Sequence, residues 1–277
     1  MLRIISAKGS LLKKEMMNSA PLVTKVILIT SCKGGVGKST VCANLAMALA
    51  KRGRRILLID CDFGNRCLDL VAGLSDKVVY DISDIAFGRI PVERAIIRDR
   101  RSENLFFIAA PGSFDNKMDA FAFRSAIRKL AAIDAFDFIF IDTPGGISDP
   151  LIFASSIADT AYIIAEPTRA AILAAERTAS FLAQKGVGKR RLIVNKLTGG
   201  FVGRAKRQLI SIIDTTSVKL HGVIPYDPEL IFAGNHGILV DGMQSSNVTH
   251  AFDNLAARTL GEGRRLFAGI KRLRKLK

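Results

Sequence analysis

Seven apolar runs of four to six residues recur along the chain, at 25–30, 55–60, 105–109, 138–142, 161–165, 192–195 and 220–225. Each is apolar at nearly every position rather than at every second one. That is the pattern of a strand covered on both faces. Between these runs, residues 40–52, 120–133 and 171–185 repeat their apolar positions at helical spacing. Buried strands alternating with helices predict an α/β fold, a mostly parallel sheet with helices on both faces. There is no internal repeat, low-complexity linker or composition break inside 25–261. One domain is expected, since 277 residues lie near the upper limit for a single core. No apolar run reaches the ~18 residues of a membrane-spanning helix. The N-terminus lacks the continuous apolar segment of a secretion signal.

Charge changes the picture at the ends. The formal net charge of +16 favours an anionic partner: nucleic acid, a lipid surface or polyphosphate. Seven basic residues and no acid lie from Arg264 to Lys277, and five basic residues stand against Glu15 from Met1 to Lys25. Cys32, Cys42, Cys61 and Cys67 form no C-x-x-C pair, and no histidine stands at metal-ligand spacing from them. Reduced thiols in a cytosol are the plain reading.

The first apolar run leads directly into "SCKGGVGKST" at 31–40 and then into a helical pattern, the context a P-loop requires. The backbone N–H groups of Gly34, Gly35, Val36 and Gly37 would converge on phosphate oxygens, and the helix N-terminus adds partial positive charge. Lys38 would reach the β- and γ-phosphates, and Ser39 would ligate Mg²⁺. Cys32 stands where G-x-x-x-x-G-K-[ST] has its leading glycine. A second lysine, Lys33, sits at the mouth of the loop without a role that the phosphate cradle demands. Asp60 and Asp62 close one apolar run, and Asp142 closes another. Alone, each would read as a helix cap or turn aspartate. Three at strand ends beside a P-loop instead suit Mg²⁺ and water chemistry at the carboxyl edge of a sheet.

"KGGVGKST", "DCDFGNRCLDL", "FIFIDTPGGI" and "HGVIPYDPEL" together resemble the MinD/ParA family of deviant-Walker-A ATPases, most closely its MinD branch. "VVYDISDIAFG" and "RDRRSENLFFI" are similar to the same branch. The resemblance runs from about Lys25 to the C-terminus. It implies Mg-ATP binding, slow partner-stimulated hydrolysis of ATP, and a homodimer that closes face to face around the nucleotide. It also implies that Lys33 reaches across to the other subunit's nucleotide, as an arginine finger does in trans. Asp62 would position the attacking water. Asp60 and Asp142 would support Mg²⁺ together with Ser39. Thr40 would donate to the α-phosphate, and Gly145 and Gly146 would let a switch loop move. Asn195 and the stretch after Pro225 would hold the base. "NKLT" at 195–198 places Thr198 where a guanine-reading loop carries an acid. A hydroxyl cannot replace that paired acceptor, which favours ATP over GTP.

The implied setting is the inner face of the cell membrane, with a division inhibitor and an ATPase activator as partners and placement of the division septum as the outcome. One stretch departs from the MinD pattern. In "EPTRAAILAAER", Ala170, Leu173 and Ala174 replace groups that support the second lysine in that branch, and "EPT" is closer to flagellar-number ATPases. Control of flagellar number and DNA partition therefore stay open as alternatives. Specific nucleic-acid binding is not expected, because the basic excess is terminal rather than spread over the body.

The resulting plan is a poorly ordered extension at 1–24, an ATPase domain at 25–262 and a basic amphipathic helix at 263–277. On a helical wheel Leu266, Ile270 and Leu273 share one face, flanked by Phe267 and Leu276. Arg264, Arg265, Lys271, Arg272 and Lys275 fall opposite. Such a helix reads as membrane-interfacial, and each cation near an anionic leaflet is worth about 1 kcal/mol. Two copies on a dimer would bind with avidity. A helix docked on the core, or a solvated basic tail, is the plainer alternative.

Overall fold

The computed structural model describes residues 24–31, 33–113, 118–199, 202–244 and 246–270. The strands are β1 (Lys25–Ser31), β2 (Ile56–Asp60), β3 (Ile97–Arg98), β4 (Leu105–Ile108), β5 (Phe138–Gly145), β6 (Thr160–Ala165), β7 (Lys189–Leu197) and β8 (Leu220–Pro225). They form one sheet in the order β3-β4-β2-β5-β1-β6-β7-β8. Every pairing is parallel except that of β3 with β4. All seven expected strands are present. The two-residue edge strand β3 is additional, and so short a pairing leaves no periodic trace in the sequence.

The helices are α1 (Lys38–Ala50), α2 (Cys67–Ala72), α3 (Ile82–Ala86), α4 (Ala120–Ala132), α5 (Asp149–Ser155), α6 (Arg169–Gln184), α7 (Val202–Thr216), α8 (Pro228–Asn235) and α9 (Asn247–Thr259). α1 is buried at every position from Val41 to Ala50. A helix apolar all round belongs inside a fold, and α1 packs against the sheet and α9. β1 lies between β5 and β6, and the register sets Asp142 beside both Ile29 and Asp60. The P-loop and the acids therefore leave the sheet at one carboxyl edge.

The tail differs from the expected helix. Over its described part the tail is not helical: 263–265 are irregular and 266–269 form a turn. Gly269 has φ +76°, and a Cβ there would lie 2.7 Å from the His250 ring. Asn254 Nδ2 donates to the Ala268 carbonyl at 2.7 Å, and its Oδ1 accepts from Arg264 Nε at 3.1 Å. Arg258 Nη1 donates to the Arg264 carbonyl at 2.8 Å. Ile270 is buried in the core, and Leu266 and Phe267 are half-buried against it. Burying one isoleucine is worth roughly 1.5–3 kcal/mol, whereas an isolated helix shorter than ~12–15 residues is marginal in water. Docking therefore wins over helix formation here. Leu273 and Leu276 lie outside the described residues, as do 1–23. Thr24 is already tied to the body through Oγ1 to the Phe136 carbonyl, 2.8 Å. No helix among the described residues is long and apolar enough to cross a membrane.

Candidate nucleotide site

The loop from β1 to α1 turns on two left-handed glycines, Gly35 (φ 75°) and Gly37 (φ 89°). A Cβ on Gly37 would sit 2.5 Å from Asn195 Nδ2, so this position needs glycine for close approach as well as for its backbone angle. Asn195 Nδ2 donates to the Val36 carbonyl at 2.8 Å. Lys196, itself at φ 55°, donates from Nζ to the Gly35 carbonyl at 2.8 Å. The end of β7 thus holds the loop through two of its carbonyls. Lys38 opens α1 and is largely buried, while Ser39 and Thr40 are half-exposed beside it. The loop after β5 touches the other side. A Cβ on Gly145 would lie 3.0 Å from the Gly34 nitrogen, and Gly146 N donates to the Ser31 carbonyl at 2.9 Å.

Asp60 and Asp142 are fully buried neighbours across β2 and β5. Asp60 accepts from the backbone N–H groups of Asp62 (2.8 Å) and Leu68 (3.1 Å). Neither buried carboxylate oxygen of Asp142 has a partner in good hydrogen-bond geometry among the described residues, although the Ser39 hydroxyl is near enough to favour the charged form. Burial pushes the Asp142 pKa up to about 7; Ser39 and Lys38 oppose the rise and Asp62 adds to it. Burial, then the charge of Asp142, also raises Asp60 well above the usual carboxylate range, while its two backbone donors pull the other way. Buried carboxylate oxygens without a well-placed donor call for a partner. A hard divalent cation with oxygen ligands supplies one. Mg²⁺ fits this donor set, with Ser39, Asp60 and Asp142 to hold it directly or through water. Asp62 stands apart at the site's half-exposed rim, its Oδ1 accepting from Asn65 Nδ2 at 2.9 Å.

A cavity of about 220 Å³ adjoins the loop, lined among others by Thr40, Asn195, Pro225 and Tyr226. The site thus gathers all the residues expected to contact nucleotide or metal, from Lys33 to Thr40 with Asp60, Asp62, Asp142, Asn195 and Pro225. The tail residues Leu266, Phe267 and Ile270 take no part in it. Two participants are not legible from the motif alone. Glu166 bonds Lys196 at 2.7 Å and faces the exposed Lys33 ammonium at 3.8 Å. Its only signal is the "EPT" departure after β6. Lys196 follows Asn195 in "NKLT" and carries no motif role of its own.

Residues 22–260 match the family described as ParA, NUBPL iron-transfer P-loop NTPase. The septum site-determining protein MinD of Synechocystis is 37% identical over 245 residues, 87% of this chain and 91% of that protein. MinD of Bacillus subtilis is 34% identical, covering 86% and 90%. Among solved structures, MinD in the Aquifex aeolicus MinC:MinD cell division complex superposes with a TM-score of 0.80 at 33% identity, covering 88% of this chain and 98% of that one. Pyrococcus horikoshii MinD complexed with Mg-ADP gives 0.74 at 30% identity, covering 85% and 96%.

Proposed function

The chain belongs to the ParA family of P-loop NTPases, as a MinD-like ATPase that uses ATP and Mg²⁺, and from that premise we propose a switch that dimerises on Mg-ATP and regulates placement of the division septum. The observation that carries the dimer is the position of Lys33. Its side chain is 49% exposed, outside a cradle that Lys38 already serves, where a second subunit's phosphates could meet it. Within one subunit, the loop N–H groups and Lys38 bind and orient the phosphates, Asp60, Asp142 and Ser39 hold the cation, and Asp62 orients water. The cation's chemistry is to offset phosphate charge. A division inhibitor of the MinC kind is the proposed partner, since a relative is found in a MinC:MinD complex. Iron transfer is not proposed, because the four cysteines include no C-x-x-C pair.

Peripheral attachment to the inner face of an anionic membrane belongs to the same proposal. Residues 271–277 contribute five cations with Leu273 and Leu276. Engagement of Leu266, Phe267 and Ile270 requires the tail to leave the Asn254–Arg258 clamp. Control of flagellar number is the second reading, favoured by Glu166 and by Ala170, Leu173 and Ala174 beyond it.

Asp62→Ala tests the switch. Hydrolysis should fall about 100-fold or more while ATP affinity stays within about threefold, because Asp62 stands clear of the buried acid pair. Sedimentation velocity should then find the variant held as a dimer with ATP, and cells expressing it should misplace their septa. Parallel loss of ATP affinity would instead make Asp62 part of the cation site. Normal septa with altered flagellar number would favour the second reading.

A further inference from the structure

We propose that Arg101 is a positioning residue for the base-binding cavity, locking α2 against α8 so that the cavity's two walls stay together. This rests on the reading of that cavity as the base pocket. One wall is Val71 of α2, and the facing wall is Ile231, Gly234 and Asn235 of α8 and its end. The Arg101 guanidinium joins them from behind. Its Nη2 donates to the Ala72 carbonyl at the end of α2, 2.7 Å, and its Nη1 to the Gly237 carbonyl just past α8, 2.8 Å. Asp99, itself buried, holds the guanidinium through both carboxylate oxygens, at 2.9 Å to Nε and 2.5 Å to Nη2. Only a planar fork with several donors makes these contacts at once.

The two helix ends meet backbone to backbone at this point. A Cβ on Gly237 would lie 2.6 Å from the Gly73 Cα, and one on Gly73 would lie 3.0 Å from the Gly237 carbonyl oxygen. Both residues have positive φ, 63° and 64°. The opposite end of α2 is tied to the cation site, because Leu68 N donates to Asp60. One short helix therefore connects the acid that supports the cation to a wall of the base pocket, and Arg101 fixes its far end.

The test compares Mg-ATP with Mg-tripolyphosphate, which engages the phosphate cradle but has no base. Arg101→Lys keeps the charge beside Asp99 but cannot fork to both carbonyls. It should weaken ATP about tenfold and leave tripolyphosphate within about twofold. Gly237→Ala, which pushes the two turns apart with Arg101 intact, should show the same selective loss. Equal weakening of both probes, or no weakening of ATP in a folded variant, overturns the proposal by reducing Arg101 to a general structural contact. If the parent binds ATP no better than tripolyphosphate, the base-pocket reading falls and the proposal falls with it.

Discussion

Lys38→Ala is expected to abolish Mg-ATP binding and, with it, hydrolysis. Lys38 is largely buried at the start of α1, between the phosphate cradle and the buried Asp142 carboxylate. Hydrogen bonds to charged groups contribute roughly 1.5–3 kcal/mol each. Losing contacts to both the β- and γ-phosphates removes about 3–6 kcal/mol, a fall of roughly 10²–10⁴ in affinity. The same deletion leaves Asp60 and Asp142 facing the incoming polyphosphate with one cation fewer. Isothermal titration with ATP and ADP, together with phosphate release, checks this. Turnover at the parental rate in the variant would remove the P-loop from the mechanism.

Lys33→Ala should separate the two lysines. ADP binding by the monomer should stay within about twofold, since the Lys33 ammonium faces Glu166 at the mouth of the loop and the Lys33 carbonyl's bond from Ser31 Oγ survives the substitution. ATP-dependent dimerisation should be lost, and turnover should fall by about 10³-fold or more, the scale of a cation supplied in trans. The Glu166 contact does not stand in the way of that role. At 3.8 Å and with Lys33 half in water, it is worth at most about 1 kcal/mol, so Lys33 can exchange Glu166 for phosphate. Lys196 remains to neutralise Glu166 at 2.7 Å. Sedimentation velocity with ATP decides the matter. A dimer that persists in Lys33→Ala would place the dimer contact elsewhere.

Much of this arrangement is legible in the sequence because parallel strands buried on both faces leave unbroken apolar runs. The acids that end β2 and β5 then announce which edge of the sheet is functional. Lys38, Ser39, Asp60 and Asp142 come together for that reason. What is not legible depends on contacts between distant segments. Arg101 sits in a charged surface-like stretch, and only the folded chain brings Ala72 and Gly237 to it. Glu166 gains meaning from Lys33 and Lys196, which approach from β1 and β7. The tail shows the limit of periodicity most clearly. Leu266 and Ile270 stand one helical turn apart, yet the same spacing serves residues that pack on the protein's own core without forming a helix. The wheel cannot tell a membrane from the protein's own core. Asn254 and Arg258, which hold the docked tail, lie in another element.

That outcome also determines which tail variant is informative. Ile270→Glu would place a carboxylate in the core and confuse instability with lost membrane affinity, whereas removing 271–277 spares the docked residues. The most direct measurement is co-sedimentation with vesicles containing an anionic phospholipid, run with ATP, ADP and no nucleotide. The parent chain should pellet with ATP alone, because five cations per tail, at about 1 kcal/mol each before screening, bind firmly only when two tails act together. The chain lacking 271–277 should stay in solution under all three conditions while hydrolysing ATP at the parental rate. A parent that ignores vesicles, binds them equally without nucleotide, or shifts duplex DNA with steep salt dependence would contradict an ATP-controlled membrane switch.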